Sequence, residues 1–362
     1  MKVPNRARLD LAPERLLCYK NDMKNTKNLF KIILLSSLFF GCATASYQPG
    51  LRPKIAAVTD VNHQEGRFLG AQNTNLFEQS WAPLNGQAKA VLIMVHGLKD
   101  HSDRYAEVAR KLAQNGFAVY AFDLRGHGNS EGRRVWTDSF EDYVTDLELF
   151  YDRVHKLEPN KPILLFGHSM GGQIVTSYVL KASNLYTRPV EGMVLSAPAL
   201  KAGEDLNGFL IFVTKILGSV TPSLAVLKLD NDKFSRDPKV VEEMKNDPLI
   251  YQGNGPARTA KELVKSIAYV EEKMPDVTIP FIVLHGTKDG LTNPDGSRQL
   301  FKVAKAKDKS IRIYEGLYHD LLHEPEKDKV FADMLAWLNA HSPKPEEKPA
   351  LQKSLKSKKS KK

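Results

Sequence analysis

The stretch Ile163-Leu164-Leu165-Phe166-Gly167-His168-Ser169-Met170-Gly171-Gly172-Gln173 decides the fold. Its apolar first half reads as a buried strand. It ends in Gly-His-Ser-Met-Gly, a match to Gly-x-Ser-x-Gly. Beyond it, Ile174, Val175, Tyr178 and Val179 recur at helical spacing. Strand, sharp turn and helix are the setting of a nucleophile elbow. Glycine at 167 and 171 suits a strained turn in which a Cβ would meet neighbouring backbone. Such a turn lifts the Ser169 hydroxyl clear of the sheet. The start of the following helix aims backbone N–H groups at the same point.

Outward from this stretch, apolar runs alternate with helical patterns. Residues 90–95 and 117–122 are continuous apolar runs, the form expected of parallel strands buried on both faces. Helical patterns cover 105–114 and 140–157. Short segments from 66 to 81 read as edge strands. A further strand at 192–196 leads into Ala197-Pro198. There the alternation breaks. Residues 199–275 are helical in character, interrupted by Pro222, Pro238, Pro248 and Pro256, and notably apolar over 206–213 and at Ile216-Leu217. We read them as a cap over the active site. Alternation resumes with a strand at 281–284, a helix at 295–304, a strand at 310–314 and a last helix at 327–339. The class is α/β, with a largely parallel sheet and a helical insert.

The net charge of +10 is a property of the ends. Residues 1–42 hold eight Lys/Arg against three Asp/Glu, and residues 341–362 hold eight Lys against two Glu. The remainder carries 36 basic and 37 acidic residues, a net of −1, so the body offers no surface for nucleic acid. Lys24, Lys27 and Lys31 precede or enter an apolar run at 32–40, which is too short to span a bilayer but fits a secretory core. It ends in Gly41-Cys42, which resembles a bacterial lipoprotein signal. Cys42 is then the lipidated first residue of a mature, envelope-anchored chain; the alternatives are an uncleaved membrane anchor, or a plain signal peptide with a secreted or periplasmic chain. Met23 is the more natural start, and residues 1–22 fall outside this pattern. Residues 42–65 read as a linker, 66–340 as the folded domain, and the Pro/Lys/Ser-rich tail 341–362 as unable to build a core. The two cysteines, Cys18 and Cys42, leave the body without a disulfide.

A serine hydroxyl needs an adjacent base, and the base needs a third group to fix its tautomer. Downstream strand ends supply Asp289 as acid and His319 as base, in the order Ser, acid, His. Asp295 competes as acid, although an N-cap role explains it; His323 competes as base, at the pocket rim. The oxyanion requires two fixed donors. The Met170 N–H is one by position, and the Leu98 N–H of the loop after 90–95 is assigned as the other. His96, Asp123, His127 and His168 have structural readings available. No cluster has metal-ligand spacing and no glycine-rich phosphate loop is present, so neither metal nor cofactor is expected.

His-Gly-Leu-x-x-His-Ser-x-Arg-Tyr at 96–105, Phe-Asp-Leu-Arg-Gly-His-Gly-x-Ser-Glu-Gly at 122–132, Gly-His-Ser-Met-Gly-Gly at 167–172, Ser-Ala-Pro at 196–198, His-Gly-x-x-Asp at 285–289 and Tyr-Glu-Gly-x-Tyr-His at 314–319 occur in order. Together they resemble the monoacylglycerol lipase and lysophospholipase family of α/β-hydrolases. The resemblance implies a Ser169/Asp289/His319 triad, a cap over an apolar acyl tunnel, and hydrolysis of a single-chain acyl ester. Lys99-Asp100 departs from the Gly-Glu usual in the family, at a carboxylate the resemblance places by the polar end of the pocket. Other reactions compatible with the site are general carboxylesterase, transacylase and peptidase chemistry. A non-catalytic envelope-anchored binding protein is the alternative of another class. Epoxide hydrolysis and dehalogenation are disfavoured, because those enzymes place a carboxylate where Ser169 stands.

Overall fold

A computed structural model of the chain describes residues 59–181, 188–202 and 216–343. The first 22 residues, the signal-like segment, Cys42, the apolar stretch 206–213 and the Lys-rich tail from 344 lie outside the described residues.

The chain begins with an antiparallel pair, β1 (Asn62–Leu69) and β2 (Asn75–Ala82). Then come β3 (Ala90–Val95), α1 (Ala106–Gln114), β4 (Phe117–Phe122), α2 (Phe140–Leu157), β5 (Ile163–His168), α3 (Met170–Leu180) and β6 (Gly192–Ser196). The cap holds β7 (Ala225–Leu227), α4 (Pro238–Asn246), β8 (Gly255–Pro256) and α5 (Ala257–Lys273). The core closes with β9 (Phe281–Gly286), α6 (Pro294–Val303), β10 (Lys309–Tyr314) and α7 (Lys327–Ala340). Eight strands form one sheet in the order β1-β2-β4-β3-β5-β6-β9-β10, antiparallel at β1–β2 and β2–β4 and parallel elsewhere.

The continuous apolar runs serve two cores at once. In β3, Val91, Ile93 and Val95 pack on one face of the sheet, with α2, α3 and α6. Leu92 and Met94 pack on the other, with α1 and α7. A strand covered on both faces by helices needs apolar residues at every position, because each successive side chain changes face. Local signals set the helix ends. Ser139 caps α2 by accepting from the Glu141 N–H, with Glu141 and Asp142 in the first turn. Asp237 caps α4, whose first residue is Pro238.

Three expected boundaries change. β1 starts at Asn62, inside the stretch read as linker, because His63 stacks on Trp81 of β2 and draws those residues into the sheet. The cap is not wholly helical, since β7 and β8 pair within it. Asn293, not Asp295, caps α6: its side chain accepts from the Asp295 N–H, and the Asp295 carboxylate pairs with Arg298 at 3.0 Å. Cap and core are joined by polar contacts such as Thr259 Oγ1 donating to the Val135 carbonyl at 2.8 Å and His101 Nε2 meeting Asp247 at 2.9 Å.

Candidate active site

The site forms at the carboxyl ends of the parallel strands, where open α/β sheets bind ligands. Ser169 leaves β5 with φ 56° and ψ −121°, a conformation that L side chains rarely adopt. The turn is held from its backbone. The Ser169 N–H donates to the Ser196 carbonyl at 2.9 Å, and its own carbonyl accepts from Ala199 at 3.0 Å. A β-carbon on Gly171 would collide with the Val95 carbonyl oxygen, so the start of α3 can pack against β3 only as glycine.

His319 lies in the loop after β10 and Asp289 in the loop after β9. The His319 Nδ1–H donates to Asp289 Oδ2 at 2.8 Å, which leaves Nε2 as the free nitrogen. The other carboxylate oxygen accepts from the Leu291 and Thr292 N–H groups at 2.8 and 2.9 Å. Burial pushes the Asp289 carboxyl up, but His319 and His285 beside it outweigh this and hold it well below the usual carboxylate range. His168 packs under the base with ring centroids 4.7 Å apart. Burial drives it down to about 4, so a neutral ring faces His319 and adds no competing positive charge. Ser169 and His319 line the same cavity.

Leu98 and Met170 line that cavity as well. Among the described residues neither N–H is spent on another hydrogen bond, as two oxyanion donors require. The Leu98 loop is anchored at both sides. The His96 Nδ1–H donates to the Gly97 carbonyl at 2.7 Å, and Nε2 accepts from the Leu124 N–H at 2.9 Å. Behind the loop, Arg104 donates to Asp100 at 3.1 Å and to Asp320 at 2.5 Å. One mostly buried guanidinium thereby ties the Leu98 loop to the loop carrying His319. Sequence reasoning did not find this bridge. Arg104 was visible only as one residue of the 96–105 motif, ahead of the helical pattern at 105–114, and the partners lie 4 and 216 positions away.

Two further expectations are corrected here. Asp100 does not line the cavity; it is buried, accepting from Arg104 and from the Tyr105 hydroxyl at 2.9 Å, so its role is to hold the loop. His323 is not at the rim. Its Nδ1 meets Asp320 at 2.7 Å and its Nε2 meets the Arg104 carbonyl at 2.8 Å, leaving neither nitrogen for a substrate. The turn residues behave as read: Asp123 accepts from Ser102 and Asn129, and His127 bonds the Arg125 carbonyl.

The cavity has a volume of about 400 Å³. Its far wall comes from the cap, with Leu217, Leu227, Leu229, Leu263, Val264 and Ile267. Ser169, Thr292, His319 and Lys201 also line it and supply its polar groups. A cavity of this size, apolar except for a few convergent polar groups, is the usual form of a small-molecule site.

The family model described as serine aminopeptidase, S33, matches residues 86–326. A monoacylglycerol lipase of Mycolicibacterium smegmatis is 35% identical over 277 residues, covering 76% of this chain and 97% of the relative. The human monoglyceride lipase is 34% identical over 296 residues, covering 80% and 94%. The crystal structure of the Paleococcus ferrophilus monoacylglycerol lipase superposes with a TM-score of 0.66 at 30% identity, covering 74% of this chain and 99% of that one.

Proposed function

The chain belongs to the serine aminopeptidase S33 family of α/β-hydrolases and is a serine hydrolase, and from that premise we propose that it cleaves single-chain acyl esters, with a monoacylglycerol as the reference substrate. The observation that carries the reading is one cavity lined by Ser169 and His319, with apolar cap residues on its far wall. An acyl chain lying along that wall presents its ester carbonyl to Ser169. The cap also exposes Ile216, Val220, Leu224 and Val226, which fits an enzyme that meets its substrate at a lipid surface.

In this reading Ser169 Oγ attacks the carbonyl carbon while His319 Nε2 takes its proton. Asp289 fixes the imidazole and balances its positive charge. The Leu98 and Met170 N–H groups receive the oxyanion. Collapse of the tetrahedral intermediate breaks the bond to the alcohol, which leaves with the proton from His319. Water, deprotonated by His319, then attacks the acyl-serine and releases the fatty acid. The test is hydrolysis of p-nitrophenyl esters of short and long chain, a monoacylglycerol and a lysophosphatidylcholine, with Ser169→Ala as control. Turnover of short esters alone would replace the lipase reading with a general esterase. Failure of a fluorophosphonate to label Ser169 would favour a binding protein.

A second substrate reading rests on Lys201. Among the described residues it is the single cation lining the cavity, and it is paired with no carboxylate. A lysophospholipid with an anionic head group satisfies it. We also infer that the chain is tethered to the cell envelope through lipidated Cys42, supported by the basic residues, apolar run and Gly41-Cys42 of the N-terminal segment. Among the described residues, no helix is long and apolar enough to cross a membrane. Metabolic labelling with palmitate, lost in Cys42→Ala, tests the tether.

A further inference from the structure

The triad carboxylate has a second imidazole on it. His285, in β9, is fully buried, and its Nε2 lies 3.1 Å from Asp289 Oδ2, the same oxygen that holds His319. Its Nδ1 lies 2.7 Å from the hydroxyl of Ser297, a fully buried residue in α6. We propose that His285 is a positioning residue for Asp289, held by Ser297 in the tautomer that donates Nε2–H to the carboxylate, so that the charge of Asp289 is shared between two rings rather than committed to His319 alone.

Counting protons gives the tautomer. Among the described residues, the Ser297 hydroxyl has no acceptor other than His285 Nδ1, so it donates there, and the ring proton is left on Nε2. A bare Nε2 would set a lone pair against a carboxylate oxygen. Thr292 does not replace this donor. Its Oγ1 is 2.8 Å from Asp289 Oδ2, 3.0 Å from the Ala197 carbonyl and 3.3 Å from both His285 Nε2 and His319 Nδ1, and it has one proton to give. When that proton goes to Ala197, the two imidazoles are the only donors left to Oδ2 among the contacts described.

The consequence is a setting of basicity. A hydrogen bond to the charged form of a carboxylate stabilises that charge and weakens its pull on other protons. With His285 donating, Asp289 stabilises the protonated His319 less strongly. Removing the donor concentrates the charge on the His319 side, so protonated His319 persists to higher pH and the acid limb of the activity profile moves up. The other ionisable groups packed around His319 are His168 from β5, Asp320 next to it in sequence, and Arg104, Asp100 and His323 behind Asp320; Lys201 shares its cavity. None touches the carboxylate oxygens of Asp289, and all stay unchanged in the variants proposed.

The test reads phosphonylation of Ser169 by a fluorophosphonate as a function of pH. It rests on the serine hydrolase assignment and needs no knowledge of the ester. His285→Leu is expected to raise the acid limb by about 0.5–1 pH unit, and His285→Gln, which can donate through its amide, to restore it. Should His285→Leu fail to fold, Ser297→Ala replaces it. Freed of its partner, the ring samples the wrong tautomer, and the limb rises by a smaller amount. An acid limb at the wild-type position in His285→Leu, or in Ser297→Ala as its replacement, overturns the proposal and leaves His285 as packing. A wild-type protein that the probe does not label at any pH contradicts the hydrolase reading instead.

Discussion

A β-carbon on Gly167 would lie 2.5 Å from the carbonyl oxygen of Gly171, so the two glycines close the elbow against each other. The obstacle is backbone on both sides, and no side chain can rotate away. Gly167→Ala and Gly171→Ala are each expected to cost about 3 kcal/mol or more, in the range of overpacked core positions. Urea unfolding of each variant checks this. Ser169 labelling should fall in parallel, because the strained serine conformation depends on the same closure.

The triad geometry gives separate expectations for its members. Ser169→Ala removes the nucleophile, and ester turnover should fall to the uncatalysed background plus what the oxyanion donors supply. Asp289→Asn keeps the shape but presents an amide to His319 and turns the ring to the wrong tautomer. About 10⁴-fold is the expected loss in kcat. The substrate panel measured on both variants decides the matter, and a loss below about tenfold for Asp289→Asn would move the acid role elsewhere.

Lys201 separates two head groups. With matched acyl chains, Lys201→Gln is expected to lower the ratio of turnover on an acyl glycerophosphate to turnover on the corresponding monoacylglycerol about tenfold, the scale of one charge-assisted hydrogen bond. The ratio of the two kcat/KM values is the readout. An equal ratio in wild type and variant returns the assignment to the neutral lipid.

His101 and Asp247 join the loop after β3 to the cap at 2.9 Å, and the pair responds to pH. Burial works against the His101 charge, but the hydrogen bond to Asp247 wins and raises its pKa above the ordinary histidine value. A raised histidine adds stability that is fully present below its unfolded pKa of about 6.5 and is lost as pH rises through the folded value. The Asp247 carboxyl, which burial raises and His101 lowers further, ends below its ordinary value; its share is present above about pH 4 and is lost on further acidification. Asp247→Asn should therefore destabilise more at about pH 5.5 than at about pH 8.5, by about 1 kcal/mol, the scale of a partly exposed ion pair. Denaturant midpoints at the two pH values give the comparison, and a uniform loss would assign the contact to packing alone.

The core was legible in the sequence because its signals are local. Each parallel strand is an unbroken apolar run, and Gly167-x-Ser169-x-Gly171 fixes strand, turn and helix within a few residues. Asp289 and His319 were legible because each follows such a strand. What escaped is set by distance in the chain. Arg104 meets Asp320 across 216 positions, and His323 faces inward because the Arg104 carbonyl waits there. Neither partner leaves a trace near the other in the sequence. The start of β1 escaped for the same reason, since Asn62 and His63 are polar and become strand only against Trp81 and Ala82 of β2. His285 was visible only as part of His-Gly-x-x-Asp, and its bond to Ser297 in α6 was not.

The capping insert leaves the sheet after β6 and returns at β9, and those two strands are hydrogen-bonded neighbours, with Met193 opposite Phe281. Because the two strands run parallel, the insert departs at the carboxyl end of β6 and comes back at the amino end of β9, so it is a cassette set into a single crossover connection. Ser169, Asp289, His319, Leu98 and Met170 all lie outside it. A lineage can lengthen, shorten or exchange the cassette, and with it the range of esters accepted, while the reacting groups keep their spacing.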